Sequence, residues 1–172
     1  MVYLDETGVS IGMTRLFGRA PKGERIYEYV PDVRYSCVSV LSTIRVDNTS
    51  NPFVYKGTLD GNLFTQYIWE CVVPTLKPYD ILVMDRLSSH MMPIITEMVD
   101  SVGANVLYLP PYSPDFNPIE TIFSQIKSDL RRDKPRDIDA ICDSLTYAFY
   151  SITPEQAHNH FVDAIYNIWG LV

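Results

Sequence analysis

The sequence predicts a single α/β domain, a mixed five-stranded sheet flanked by helices on both faces. Three observations lead there. The 172 residues are 47% hydrophobic and 20% charged, a composition that sets disorder aside and supplies one sizeable core. The first third holds short apolar runs punctuated by turn residues, whereas later runs alternate with segments of helical period. One run, Ile81-Leu82-Val83-Met84, has no polar interruption, as expected of a strand buried on both faces between parallel neighbours.

Val2-Tyr3-Leu4 opens a buried strand over residues 2–6 that stops on Asp5 and Glu6. Residues 8–34, rich in glycine, proline and charge, predict a loop or loose hairpin. From Ser36 to Val46 one face carries Val38, Val40, Ile44 and Val46, which predicts a half-buried strand. Turn residues Asn48 to Pro52 lead to a third strand, Phe53-Val54-Tyr55, completing an antiparallel meander. Asp60-Gly61-Asn62 offers helix caps. Leu63, Phe64, Tyr67, Ile68, Cys71 and Val72 then recur at helical spacing over 63–73, and Pro74 ends the helix. A strand at 81–85, a helix at 93–101 with Pro93 in its first turn, and a strand at 105–109 follow.

Four prolines between Pro110 and Pro118 stiffen the next connector, because each fixes its own φ. Asn117 then caps a helix with Pro118 at its first position and a buried stripe of Ile119, Ile122, Phe123, Ile126 and Leu130. Two more helices complete the chain. One buries Ile138, Ile141, Cys142, Leu145, Ala148 and Phe149. The other opens on the capping-box pattern Thr153-Pro154-Glu155-Gln156 and buries Ala157, Phe161, Ala164, Ile165 and Ile168. The order β-β-β-α-β-α-β-α-α-α suits a ribonuclease-H-like core, in which ligands gather at the carboxyl ends of parallel strands.

Several classes are set aside. No apolar run approaches the ~20 residues of a membrane-spanning helix. Cys37, Cys71 and Cys142 are far apart, match no zinc spacing and predict reduced thiols in a cytoplasmic protein. A net charge of −7 argues against a free-standing nucleic-acid binder. Ser113 and His90 with an aspartate lack the Gly-x-Ser-x-Gly elbow of a hydrolase triad. His158 and His160, two apart on a helix, face different ways.

The chemistry is carried by acids. Asp5 and Asp85 each end an apolar strand, and Glu120 stands in the first turn of the helix capped by Asn117. Each has an ordinary alternative: a solvated strand end, a turn, or, for Glu120, a reach back to the cap that also favours the helix dipole. Gathered at one sheet edge, three carboxylates would repel one another unless a hard cation neutralised them. Mg²⁺ or Mn²⁺, as two ions, would suit such donors and clamp both oxygens of a phosphodiester displacement. The expectation is therefore that Asp5, Asp85 and Glu120 converge within bridging distance of an ion.

Leu4-Asp5-Glu6-Thr7-Gly8, Val83-Met84-Asp85 with Leu87-Ser88-Ser89-His90, and Leu109-Pro110-Pro111-Tyr112-Ser113-Pro114-Asp115-Phe116-Asn117-Pro118-Ile119-Glu120 resemble the catalytic domain of mariner-superfamily transposases, in the bacterial insertion-sequence branch. The spacing of thirty-four residues between Asp85 and Glu120 is also that family's. Gly18-Arg19-Ala20-Pro21-Lys22-Gly23 resembles its loop after the first strand. The resemblance implies a DDE triad of Asp5, Asp85 and Glu120 that acts with Mg²⁺ or Mn²⁺. It also implies cleavage at transposon ends, strand transfer into target DNA and a homodimer within a synaptic complex. The chain departs from the family's usual residues at Arg86, Met91 and Arg19, where asparagine, lysine and tryptophan are common.

Candidate nucleic-acid contacts are Arg86 and His90 beside the second aspartate, with Lys127 and Arg131 on the helical stripe below Glu120. A solvated face, with its cations near the helix C-terminus, is the plain alternative for the last two. Two other readings of the whole chain stand beside the transposase: a decayed or domesticated remnant, and another ribonuclease-H-like nuclease. The sequence opens on the first catalytic strand and so reads as a fragment or half of a split gene. It lacks the family's N-terminal helix-turn-helix region, which an upstream helix-turn-helix protein would supply. The expected location is cytoplasmic, nucleoid-associated when on DNA.

Base contacts, rather than phosphate contacts, specify sequence. The isolated chain is therefore expected to bind DNA weakly and without preference for transposon ends. Competition between terminal-repeat and scrambled duplexes at fixed salt checks this. A preference of ~10³-fold or more, the lower range of specific DNA binders, would show that this domain reads sequence itself.

Overall fold

The computed structural model describes residues 1–15, 17–27, 37–111 and 113–169, with side chains up to Ala164 in the last helix. Ser36, Tyr112 and the side chains of Ile165 and Ile168, all invoked above, lie outside the described residues.

Five strands, β1 (Val2–Ser10), β2 (Cys37–Ile44), β3 (Phe53–Tyr55), β4 (Ile81–Met84) and β5 (Asn105–Tyr108), form one sheet in the order β3-β2-β1-β4-β5. β1 is central, antiparallel to β2 and parallel to β4; β2 and β3 pair antiparallel, β4 and β5 parallel. The meander and the parallel half thus meet at β1. Helices α1 (Gly61–Tyr67) and α2 (Pro93–Asp100) cover one face, and α3 (Pro118–Asp133), α4 (Ile138–Ser151) and α5 (Pro154–Trp169) belong to the other.

Strand alternation divides the core. Val2, Leu4, Leu41, Leu82 and Met84 pack with Phe64, Tyr67, Ile68, Ile95 and Val99 from α1, the turn after it and α2. Tyr3, Val9, Val38, Val40, Ile44 and Val83 pack with the buried stripe of α3, residues Ile119, Ile122, Phe123, Ile126 and Leu130. The remaining contributions to that layer come from Ile141, Leu145, Ala148 and Phe149 of α4 and Ala157 and Phe161 of α5, with Phe161 edge-on to Tyr3 at 5.4 Å. α5 opens as its capping box requires. Gln156 N–H donates to Thr153 Oγ1 at 3.2 Å, and Thr153 N–H donates to Gln156 Oε1 at 2.9 Å.

The first strand is longer than its apolar run. Residues 8–10, expected in a loop, continue β1 and pair with 37–39 of β2, with Val9 buried. Gly8, which adds no side chain to the pattern, hides that continuation from a periodicity reading. Val46, placed with the buried face of β2, is exposed instead. The strand ends at Ile44, and the chain turns over through Asn48 at φ 64°, with Arg45 N–H donating to Thr49 O. Asn48 tolerates this left-handed conformation better than most residues. Its Nδ2 donates to Ile152 O at 2.5 Å and, more weakly, to Phe149 O at 3.4 Å. These bonds tie the turn to the end of α4, whose last carbonyls have no partner within the helix.

The helix predicted over 63–73 begins at Gly61, capped by Asp60 Oδ1 accepting from Leu63 N–H at 2.8 Å. It widens to a π turn at Ile68–Val72 and tightens to a 3₁₀ turn at Val73–Thr75. Pro74 explains the change, because it offers no N–H to the carbonyl four residues back and its ring crowds that carbonyl.

Candidate active site

The site is set by strand register. Val2 pairs with Leu82 and Tyr3 with Val83. Two residues further along each parallel strand come Asp5 and Asp85, side by side and on the face that Tyr3 and Val83 present to α3. Asp85 directly follows β4. Asp5 does not end its strand, as its apolar run suggests, but sits inside β1 opposite Ser42. Glu120 arrives from the other direction, in the first turn of α3.

The connector fixes that arrival. Leu109 N–H donates to Met84 O at 2.8 Å, extending the β4–β5 ladder by one bond before the prolines begin. A 3₁₀ turn at Pro114–Phe116 then folds the chain so that Asn117 N–H bonds Pro114 O at 2.9 Å. Asp5, Asp85 and Glu120 consequently line one cleft of about 440 Å³, together with Asn117, Arg86, Leu87 and the proline connector.

Asp5 is the most constrained of the three. Its Oδ1 accepts from Glu6 N–H at 2.7 Å, and its Oδ2 accepts from Asn117 Nδ2 at 2.8 Å. Burial pushes its carboxyl up to about 7, despite the Glu6 hydrogen bond, and the neighbouring Glu120 and Asp85 carboxylates push the same way.

Asn117 is a residue the sequence reading missed in this role. It stands at the N-cap position, but its side chain makes no capping bond and is turned to Asp5 instead. It is only 4% exposed, and its Oδ1 is buried without a hydrogen-bond partner. A cap-type residue followed by proline reads as a helix start, and only the fold brings it to β1. Glu120 makes no reach back to the cap either: Asn117 N–H is taken by Pro114 O, and the Glu120 side chain is exposed toward the cleft.

The turn after Asp85 folds under the site. His90 N–H donates to Leu87 O at 3.0 Å, and the His90 ring stacks on Phe64 with centroids 4.2 Å apart. Tyr108 Oη donates to His90 O at 3.0 Å. His90 Nδ1 lies 2.6 Å from Asp85 Oδ1, a close polar contact that departs from hydrogen-bond alignment. His90 is fully buried, which corrects its assignment as a nucleic-acid contact: it supports Asp85 from beneath and offers nothing to a phosphate. Arg86 is exposed at the cleft mouth. Lys127 and Arg131 are half-buried farther along α3 and line no part of the cleft.

Among the described residues, no three of His, Cys, Asp and Glu stand close enough to hold an ion. The triad therefore shares a cleft without the tight convergence expected of it. The donors nonetheless fit a hard divalent cation. They are all carboxylates, they face one cavity, and Asp5 is disfavoured as an anion by burial first and by its carboxylate neighbours second, both of which a bound cation would offset.

Comparisons with known proteins bear on the family and the fold. A family profile described as DDE superfamily endonuclease matches residues 1–142. No curated protein sequence matches. Among solved structures, the chain is similar to the Mos1 transposase paired-end complex with left transposon end (TM-score 0.77, 15% identity, 95% of this chain and 51% of that one). It is also similar to the catalytic domain of Mos1 mariner transposase (TM-score 0.68, 14% identity, 95% of this chain and 76% of that one). The Mos1 paired-end complex with Mn is another match (TM-score 0.75, 14% identity, 98% of this chain and 53% of that one). These likenesses give the ribonuclease-H-like fold, and the chain spans about half the length of the Mos1 chains in those complexes.

The raised Asp5 carboxyl sets a pH dependence for the metal-free protein. The folded state holds this proton up to about pH 7, whereas an unfolded aspartate releases it near pH 4. Folding stability therefore falls as pH rises from about 4 to about 7, then levels off. Asp5→Asn is expected to raise Tm by about 8–16 °C at pH 8 and to leave it unchanged at pH 4, since moving the carboxyl from about 4 to about 7 is worth about 4 kcal/mol and each kcal/mol about 2–4 °C at this size. Thermal melts of both proteins in chelator across that range check it; equal gains at both pH values would mean Asp5 is not the group responsible.

Proposed function

The chain belongs to the DDE superfamily endonuclease family, and from that premise we propose that it is the catalytic part of a DDE transposase. Its reaction is metal-dependent cleavage of DNA at transposon ends, followed by joining of the freed 3′ end to target DNA. The observation that carries this reading is the single cleft in which Asp5 and Asp85, on adjacent parallel strands, face Glu120 from α3. The similar Mos1 structures include paired-end and strand-transfer complexes, which supports DNA as the substrate. The motif around Pro110 to Glu120 supports the bacterial insertion-sequence branch. A homodimer in a synaptic complex, with end recognition supplied by a helix-turn-helix region or partner, completes the proposal.

Asp5, Asp85 and Glu120 would hold Mg²⁺ or Mn²⁺, as two ions, and related Mos1 structures carry Mn and Mg. The bound metal would polarise the phosphodiester and favour ionisation of the attacking hydroxyl. The chain's own residues do the positioning. Glu6 N–H and Asn117 Nδ2 fix both oxygens of Asp5, leaving its remaining lone pairs for the cleft. The buried His90, stacked on Phe64, backs Asp85. Glu120 is exposed and hinged only by its own side chain, so it can close on the other two when their repulsion is neutralised. Arg86 at the cleft mouth supplies a cation for the phosphate beside the scissile one.

Asp85→Asn removes a ligand charge without changing volume. It is expected to lower Mg²⁺-dependent nicking of supercoiled DNA by at least about 10³-fold with circular dichroism unchanged. Nicking by the parent chain that survives in Asp85→Asn would remove the triad assignment. Absence of nicking in the parent itself, with Mg²⁺ and Mn²⁺, would favour the remnant reading.

A further inference from the structure

The charges of this chain are distributed unevenly. Between residues 15 and 25 stand four cations, Arg15, Arg19, Lys22 and Arg25, against one acid, Glu24. Between 127 and 136 stand five cations against two acids, Asp129 and Asp133. Nine of fourteen Lys and Arg thus lie on two short segments of a chain whose net charge is −7.

The fold joins those segments. Arg136, just beyond α3, donates through Nη1 to Ile11 O at 3.1 Å and, more weakly, to Met13 O at 3.4 Å, holding the start of the β1–β2 connection against the C-terminal end of α3. Between them lies a recess of about 560 Å³ lined by Arg15, Phe17, Ser128, Arg131 and Arg132. Arg132 is engaged by Asp129 at 2.8 Å and Asp133 at 3.1 Å, which leaves Arg15 and Arg131 as the cations without an acidic partner among the described residues. Phe17 is 89% exposed at the same recess. A phenyl ring left in water beside two unpaired guanidinium groups has no role in the core, and its volume is that of a small-ligand site.

We infer that this recess is a second nucleic-acid site, which binds a single-stranded segment through phosphates on Arg15 and Arg131 and a base stacked on Phe17. Guanidinium forks recognise phosphate oxygens, and an exposed aromatic ring takes an unpaired base of any identity. A paired base inside a duplex has no free face to offer that ring. A second copy that met this recess with the same face would set like charges against one another. The site deepens the transposase reading, on which it rests, by placing a strand. Arg131 stands eleven positions after Glu120 in α3, about 16 Å along the helix. At about 3.4 Å per nucleotide, a strand following α3 from the carboxylates reaches the recess some five nucleotides away.

Sixteen ångström exceeds the screening length of about 10 Å at 0.1 M salt. The recess should therefore bind DNA without divalent metal, unlike the acidic cleft. Anisotropy of labelled twelve-nucleotide oligo-dT and of a twelve-base-pair duplex, in chelator, measures this directly. Arg15→Ala with Arg131→Ala is expected to make the plot of log affinity against log salt shallower for oligo-dT by about 1.4, the value for two phosphate contacts on single strands. Phe17→Ala is expected to weaken oligo-dT about fivefold to 150-fold and to leave the duplex unchanged. Phe17→Tyr should retain binding, and thermal melts of each variant separate misfolding from lost contact. An unchanged salt slope, equal effects of Phe17→Ala on both probes, or displacement of oligo-dT by poly-glutamate at equal charge concentration would each overturn the site. Cleavage is no readout here, so failure of the recess and failure of the transposase reading remain distinguishable.

Discussion

The structure turns on a carboxylate placed where carboxylates are costly. Asp5 lies inside the central strand, on the face that packs against α3, with Asp85 beside it and Glu120 opposite. Burial and those neighbours hold its proton to about pH 7, even though Glu6 N–H and Asn117 both donate to it. A sheet assembled for stability alone would place an apolar residue at this position, as it does at Tyr3 and Val9 on the same face. The arrangement makes physical sense when a positive charge completes it.

Much of the rest follows from that need. The parallel pairing of β1 with β4 sets the two aspartates abreast, and the proline connector then delivers the start of α3 to the same edge. The apolar stripe of α3 fixes the helix rotation, because Ile119, Ile122, Phe123 and Ile126 are all buried against the sheet. With that face committed, Glu120 is left exposed at the cleft. Beneath Asp85, His90 is closed in by Phe64 and by the turn from Leu87, so one side of the second aspartate lies against a packed ring.

The sequence disclosed whatever depends on local pattern or on a long motif. The uninterrupted run of β4, the stripe of α3 and the capping box of α5 each specify their surroundings, and the order of elements led to the sheet that was found. Long-range placement was harder to read. Gly8 obscured the second half of β1, whose pairing with β2 is a tertiary fact. Asn117 carries a helix-start signature and no sign that its amide reaches Asp5, 112 residues earlier in the chain. His90 sits in a polar turn, where exposure is the natural reading, and only the packing against Phe64 shows it buried. The recess at Phe17 escaped because its two sides come from segments that the fold alone brings together.

The central claim is that the cleft between Asp5, Asp85 and Glu120 exists to receive a divalent cation. The most direct test is a crystal grown with Mn²⁺, with the metal located by its anomalous scattering. The account predicts anomalous density in that cleft, with carboxylate oxygens of Asp5 and Asp85 at about 2.0–2.2 Å and Glu120 drawn inward. Saturating Mn²⁺ with no density in the cleft, or density only at unrelated surface carboxylates, would contradict it.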